Sequence, residues 1–291
     1  MQMEASADEF SNFAQQIWDA PTAFRDDLFR GQTVLVTGGG SGIGLAIALL
    51  FAKLSANVAI CGRNAEKLAL AERFATRHQA RFFTQQTDIR EPDEIARLFD
   101  GIESAFGPVD VLVNNAGGQF PKPAIDFSVK GWNAVINNNL NGTWYMMQEA
   151  ARRWREAKRA GTIINIVAPT ERGMPGVAHT VAARAGVIGL MNTVAVEWAP
   201  LNIRINCLSP GLTATSGLEV YPPEARKEFP KANPMKRPGT ATEISEACIF
   251  LASPSASFIT GEVLHADGGY RQWGELWTAG RPDYFRDHAS E

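Results

Sequence analysis

From Thr33 onward the chain alternates short, apolar, β-branched runs with longer segments whose apolar residues recur at helical spacing. The runs fall at Thr33–Thr37, Val58–Cys61, Phe82–Gln85, Val109–Val113, Thr162–Val167, Arg204–Leu208 and Val263–Ala266. Most are apolar at consecutive positions. A strand with one wet face would alternate instead, so these runs predict strands covered on both sides. The segments between them fit crossover helices. Because such crossovers are right-handed, the rhythm predicts an α/β fold with one doubly wound, parallel, seven-stranded sheet and helices on both faces.

No repeat, low-complexity tract or linker interrupts residues 31–270, which read as a single domain. Residues 1–30 are then an N-terminal extension and residues 271–291 a C-terminal tail. Two stretches leave the regular rhythm. Thr213–Thr240, rich in proline and charge, predicts a long loop with one short helix. The segment after Gly269 carries Tyr270, Trp273, Trp277 and Tyr284, aromatics suited to covering a substrate mouth or a subunit interface.

Composition narrows the partners. With 20% charged residues and a net charge of −3, the chain offers no general attraction for nucleic acid or an anionic membrane. Residues 1–30 are acidic and lack a long apolar run, unlike a signal or transit peptide. No segment approaches the roughly 20 apolar residues of a membrane helix. A cytoplasmic location is expected. Cys61, Cys207 and Cys248 lie far apart without metal-ligand spacing and read as reduced core thiols, with no metal expected. The basic run Arg152-Arg153-Trp154-Arg155, with Lys158 and Arg159, reads as a solvated helix face rather than a phosphate site.

The strongest chemical signal follows the first strand. Thr37-Gly38-Gly39-Gly40-Ser41-Gly42-Ile43-Gly44 opens an apolar helix directly. Glycines allow a tight turn and close backbone approach, so a pyrophosphate can rest on the helix N-terminus; Gly38, Ser41, Gly42, Ile43 and Gly44 are the candidate contacts. A Rossmann-type dinucleotide site is predicted. At the end of the second strand, Gly62 supplies none of the carboxylate that grips a free ribose 2′-hydroxyl. Arg63 beside it presents a planar fork suited to a 2′-phosphate. These residues favour NADP(H).

With these motifs the chain resembles the short-chain dehydrogenase/reductase family over nearly everything from Gly31 to Gly269. The resemblance implies further cofactor contacts. Asp88, in Thr87-Asp88-Ile89, is placed at the adenine ring. Asn115 and Gly117, in Asn114-Asn115-Ala116-Gly117, support the central strand and face the nicotinamide ribose. Pro210, Gly211 and Thr215 contact the carboxamide. It also implies a homotetramer or homodimer formed through helices near Asn139–Arg159 and His179–Pro200.

The catalytic set departs from the family's Asn, Ser, Tyr and Lys. Asn139 matches the Asn. Alignment through Ala185-Gly186-Val187 puts Arg184 at the Lys position and Thr180 at the Tyr position, while the Ser falls near Val167 or Ala168. Alcohol oxidation needs a base with a pKa near the working pH. A threonine hydroxyl is too weakly acidic, and arginine does not deprotonate in proteins. Reduction of an activated C=C bond asks only for donors aimed at the carbonyl oxygen where charge collects. Thr180 and Arg184, one helical turn apart, share a face. His179 is a candidate proton source, with a suitable native pKa. Tyr145 reads as a packing or interface residue.

Asn115-Ala116-Gly117-Gly118-Gln119-Phe120-Pro121, Ala178–Gly186 and Ala252–Gly261 resemble the enoyl-CoA reductase branch, both trans-2-enoyl-CoA and 2,4-dienoyl-CoA reductases. The tail is similar to that of terpenoid alcohol dehydrogenases of the citronellol type. The first resemblance implies an acyl-CoA substrate, the second a branched alcohol or aldehyde. Loss of Ser, Tyr and Lys together also leaves open a cofactor-binding protein without turnover.

Overall fold

The computed structural model describes residues 7–273 together with Thr278, Pro282 and Phe285; Trp277 and Tyr284 lie outside the described residues. The strands are β1 (Thr33–Thr37), β2 (Asn57–Gly62), β3 (Phe82–Gln86), β4 (Val111–Asn114), β5 (Gly161–Ile166), β6 (Ile203–Pro210), the short β7 (Thr213–Ala214) and β8 (Gly239–Thr240), and β9 (Val263–Ala266). Seven of them form one parallel sheet in the order β3-β2-β1-β4-β5-β6-β9. The expected doubly wound architecture is present. The order reverses between β1 and β4, and the crevice beyond their carboxyl ends is where such sheets bind ligands.

The helices are α1 (Ala7–Asp19), α2 (Gly42–Lys53), α3 (Ala65–Arg77), α4 (Pro92–Phe106), α5 (Val129–Ile136), α6 (Gly142–Glu156), α7 (Ala178–Trp198), α8 (Pro223–Glu228) and α9 (Ala241–Ala252). They divide the core into two layers. Val34, Val36 and Ile60 face α2 and α9, whereas Leu35, Ala59 and Ile163 face α4, α6 and α7. This is why the strands read as continuous apolar runs. Among the described residues no helix is long and apolar enough to cross a membrane.

Helix α2 is buried at every position from Gly44 to Ala52. The sheet and α9 cover two of its sides, and α1 covers another. Phe10, Ala14 and Ile17 of α1 recur at helical spacing and are buried, forming an apolar stripe. Lys53 Nζ donates to the carbonyls of Trp18 (2.8 Å) and Ala20 (2.7 Å), and Phe29 packs edge-on against Phe51 at 4.8 Å. The N-terminal segment thus completes the core around the helix that begins at the glycine loop.

The Thr213–Thr240 stretch contains α8, as the one short helix expected, and adds a parallel two-residue pairing of β7 with β8. That pairing brings the segment back to α9, where Thr240 and Glu243 form a capping box. Arg153, read from sequence as part of a solvated face, instead pairs with Glu149 (2.7 Å), Asp100 (2.8 Å) and Glu103 (3.2 Å) between α4 and α6. Arg152 and Arg155 are exposed.

Candidate active site

The glycine loop is built around close backbone approach. A Cβ on Gly44 would sit 2.3 Å from Asn115 Nδ2 and 2.4 Å from the Gly38 carbonyl. Gly42 takes φ +55° where α2 begins, a left-handed conformation that glycine adopts without steric cost. Ser41 occupies the N-cap without bonding the helix through its side chain, and Ile43 is half-buried. The amide groups of the first turn of α2 therefore face the crevice without a side-chain cap, as an anion site requires.

Across the reversal, Thr37 and Asn115 brace β1 against β4. Thr37 Oγ1 accepts from the N–H groups of Asn115 (3.0 Å) and Ala116 (2.9 Å). Asn115 Nδ2 donates to the carbonyls of Thr37 (3.0 Å) and Gly38 (3.3 Å). The Asn115 side chain is thus engaged by the backbone of the glycine loop. Thr37 was not singled out from sequence; its signal was a buried hydroxyl closing an apolar strand just before a glycine turn.

At the outer end of the crevice Arg63 is exposed, and its carbonyl accepts from Gln86 Nε2 at 2.9 Å. Asn64 caps α3 by accepting from Lys67 N–H at 2.9 Å. Asp88 is held by Arg90, through its backbone N–H (3.0 Å) and Nε (2.9 Å). Those bonds from Arg90 keep the Asp88 carboxyl below its ordinary range, with a smaller contribution from Arg63.

The inner end is organised by Asn139. It lies buried in a single π-turn, Asn137–Asn141, joining α5 to α6. Such a bulge re-aims a side chain that a regular helix would direct elsewhere. Asn139 Oδ1 accepts from Gly118 N–H at 3.0 Å, and its Nδ2 donates to the Gly118 carbonyl (3.0 Å) and to Thr180 Oγ1 (3.1 Å). The threonine oxygen is an acceptor in that bond, so its own proton remains available to donate.

Arg184, one turn further along α7, is 8% exposed. Its guanidinium lies against the loop after β4, where a Cβ on Gly117 would meet Nη2 at 2.1 Å. Among the described residues Nη1 has no hydrogen-bond partner. Burial pushes this guanidinium down to about 10, and burial pushes the neighbouring Cys207 thiol up to about 12. A buried cation with no carboxylate partner is costly, and such groups mark functional sites.

His179 is enclosed between Phe120 (4.7 Å) and Phe127 (4.4 Å). Its Nδ1 accepts from the Thr180 N–H at 2.7 Å. Burial lowers its pKa, against weaker support from the Val177 and Phe120 carbonyls, and keeps the ring neutral. Val167 and Ala168 follow β5 without a hydroxyl, and Tyr145 packs partly buried against the core. Beneath the site Asn114 Nδ2 donates to Asn165 Oδ1 at 2.9 Å. Asn165 was readable as the polar residue interrupting the apolar run Ile163–Val167 but was not singled out.

The remaining walls come from the last third of the chain. Gly211 N–H donates to the Ala266 carbonyl at 3.0 Å, joining the end of β6, at Pro210, to the end of β9. Thr215 lies over the glycine loop, 3.7 Å from the place of a Gly42 Cβ. Residues 168–177 are fastened by Glu171 to His265 (2.7 Å), by Arg172 to the Tyr270 carbonyl (3.1 Å) and by the Tyr270 hydroxyl to the Gly173 carbonyl (3.3 Å). The result is a cleft with a phosphate-ready turn at one end and a set of unpaired donors at the other.

A family profile described as enoyl-(acyl carrier protein) reductase matches residues 38–271. The chain belongs to the short-chain dehydrogenase/reductase family. This short-chain oxidoreductase is 38% identical to a probable 2,4-dienoyl-CoA reductase of Bacillus subtilis over 247 residues, which cover 83% of the chain and 96% of that protein. It is 36% identical to a 3-oxoacyl-acyl-carrier-protein reductase of Chlamydia trachomatis, covering 83% of the chain and 98% of that protein. A solved structure of a citronellol catabolism dehydrogenase from Pseudomonas aeruginosa superposes with a TM-score of 0.78 at 36% identity, over 87% of this chain and all of that one. The family uses NAD(P)(H) to act on small molecules. The names of these relatives span dienoyl-CoA reduction, 3-oxoacyl reduction and citronellol catabolism.

Proposed function

We propose that this short-chain oxidoreductase is an NADP(H)-dependent reductase of the C=C bond of an enoyl-CoA-type thioester. The observation that carries the reading is the inner end of the cleft. It holds the Thr180 hydroxyl, the Asn139 amide and the buried Arg184 cation, all donors, while the basic ring nitrogen of the adjoining His179 is already engaged by the Thr180 N–H.

The cradle fits a dinucleotide. The Gly38–Gly44 turn has no room for a side chain at Gly44, and the uncapped first turn of α2 suits a pyrophosphate. Ser41, Gly42 and Ile43 would line that anion. Arg63 would take the 2′-phosphate, and Asp88, already turned toward Arg90, would border the adenine. Asn115 and Gly117 would shape the nicotinamide side, with Pro210, Gly211 and Thr215 opposite. When bound, the cofactor supplies a hydride to Cβ of the substrate.

The protein's own task is to hold the substrate carbonyl and stabilise its enolate. Thr180 donates a hydrogen bond to the carbonyl oxygen while Asn139 holds the threonine in place. Arg184 answers the developing negative charge from a dry position, where a preorganised donor is worth about 3 kcal/mol. The same guanidinium can also hold the ribose hydroxyls. His179, neutral and enclosed, positions Thr180 through its backbone N–H, and the proton for Cα comes from solvent. Exposed Val196 and the stacked Trp144 and Trp198, 6.4 Å apart, support assembly of a homo-oligomer through α6 and α7.

Likeness to the citronellol catabolism dehydrogenase favours a second reading, oxidation of a branched alcohol. The deciding experiment follows reduced-nicotinamide absorbance with NADPH and a panel of trans-2-enoyl-CoA thioesters, and in parallel with NADP⁺ and citronellol-like alcohols. Turnover confined to the thioesters is expected. Turnover confined to the alcohols would overturn the reading and make His179 the first residue to replace. Cofactor binding with no turnover on either panel would leave a binding protein.

A further inference from the structure

The segment after β6 crosses the cleft and meets its far side through a polar contact. It starts at Thr215, over the glycine loop, runs through the 3₁₀ turn Ser216–Val220, and reaches Tyr221. There the Tyr221 hydroxyl accepts a hydrogen bond from Gln119 Nε2. Gln119 follows Gly118, whose N–H and carbonyl each hold the Asn139 amide at 3.0 Å. The segment thus begins over the glycine loop, and Gln119, which it meets, adjoins the residue that holds the Asn139 amide.

Tyr221 is placed to do more than latch. Its ring is half-buried and packs edge-on against Phe229 at 5.4 Å, which fixes the direction of its hydroxyl. The phenol oxygen is the acceptor in the Gln119 bond, so the phenol proton is left to donate, as at Thr180. Among the other described tyrosines, Tyr145 packs on the core and Tyr270 donates to Gly173. Tyr221 is the described tyrosine whose hydroxyl reaches the Gly117–Phe120 loop. Burial raises its pKa, more than the Gln119 bond lowers it, which keeps the phenol a donor and makes it no base.

We propose that Tyr221 is a catalytic residue that donates a second hydrogen bond to the substrate carbonyl oxygen, with Gln119 holding the phenol in position. A tyrosine delivered from the segment after β6 thereby complements the short hydroxyl of Thr180 on α7. Two donors converging on one oxygen suit a site that must stabilise an enolate without releasing a proton. The proposal rests on the reductase reading above.

The test uses the full-length protein with Tyr221→Phe, which keeps the ring against Phe229, and Gln119→Leu, which removes the holding amide. With an enoyl-CoA thioester and NADPH, Tyr221→Phe is expected to lower kcat on the order of 30-fold, and Gln119→Leu about 5-fold. NADPH affinity, read by quenching of protein fluorescence, should stay within about twofold for both, because neither residue borders the cofactor turn. A second readout separates contact with substrate from simple latching. Trypsin cleavage after Arg226 and Lys227, measured in the NADPH complex, should proceed at the same rate in wild type and Tyr221→Phe. An active wild type with equally active Tyr221→Phe overturns the role of Tyr221 alone. So does a loss of rate accompanied by faster cleavage, which would make the contact a structural latch. A wild type that turns over no thioester overturns the reductase reading and this role with it.

Discussion

The two ends of the cleft are built on opposite principles. At the β1–β4 end the side chains of Thr37 and Asn115 are engaged, although among the described residues Asn114 Oδ1 and Asn165 Nδ2 beneath them have no partner. Thr37 and Asn115 exchange bonds with the backbone of the facing strand, and the glycine loop is held before any ligand arrives. At the α7 end, buried Arg184 Nη1 and His179 Nε2 have no partner among the described residues. Buried polar groups in folded proteins are nearly always paired, so a cluster of unpaired donors is unusual. A phosphate site made of backbone can be complete in the protein alone. A site that must stabilise new negative charge is left short of acceptors, and the substrate provides them.

The contrast breaks most visibly at Gly44. Gly44→Val pushes a side chain into Asn115 and the Gly38 carbonyl, so it should undo the brace and the turn together. A loss of NADPH affinity of at least about 100-fold is expected, with about 3 kcal/mol of stability lost in urea denaturation. Retention of native affinity would mean that the turn is not the cofactor cradle.

At the other end the two readouts should part company. Arg184→Met removes a buried charge that has no counter-ion, so stability should hold or rise by about 1 kcal/mol. Removing the same charge from the proposed enolate site should cut kcat/KM about 100-fold. Thermal unfolding beside steady-state kinetics checks both signs. A variant destabilised by several kcal/mol would show that Arg184 serves the fold instead.

The smallest effect is pH-linked and belongs to His179. Its native pKa lies below the ordinary value near 6.5, so the unfolded chain binds the proton more readily than the native state. The stability due to the neutral ring is complete above that value and is lost as pH falls below it. The slope is at most about 1.4 kcal/mol per pH unit. His179→Asn keeps an acceptor for the Thr180 N–H, and it should flatten the urea midpoint between neutral and mildly acidic pH. An unchanged slope would assign the titration elsewhere.

Much of this was legible beforehand, in uneven measure. All seven strands of the main sheet fall on the short runs readable from the sequence, most of them apolar, with ends shifted by a few residues. Val109 and Asp110 precede β4, for example, although the Asp110 N–H still donates to the Thr33 carbonyl at 2.8 Å and its carbonyl accepts from the Thr162 N–H at 3.0 Å. The glycine turn and the absence of a tyrosine at Thr180 were also visible. Helix α1 was not singled out, although Phe10, Ala14 and Ile17 carry its period. That stripe has meaning only once α2 presents an apolar surface to receive it.

Sequence by itself determined the layered α/β sheet, the turn that follows β1 and the residue types available for chemistry. Each of these is written in local periods or contiguous motifs. Tertiary structure alone decided that Asn115 would brace the turn, that Arg184 would be buried without a counter-ion, and that Gln119 would meet Tyr221 102 positions later. Hydrophobic periodicity reports which face of an element is buried. It carries no information about which polar atoms the crossing of distant elements will bring within 3 Å of one another, and the donors of this cleft are positioned by such crossings.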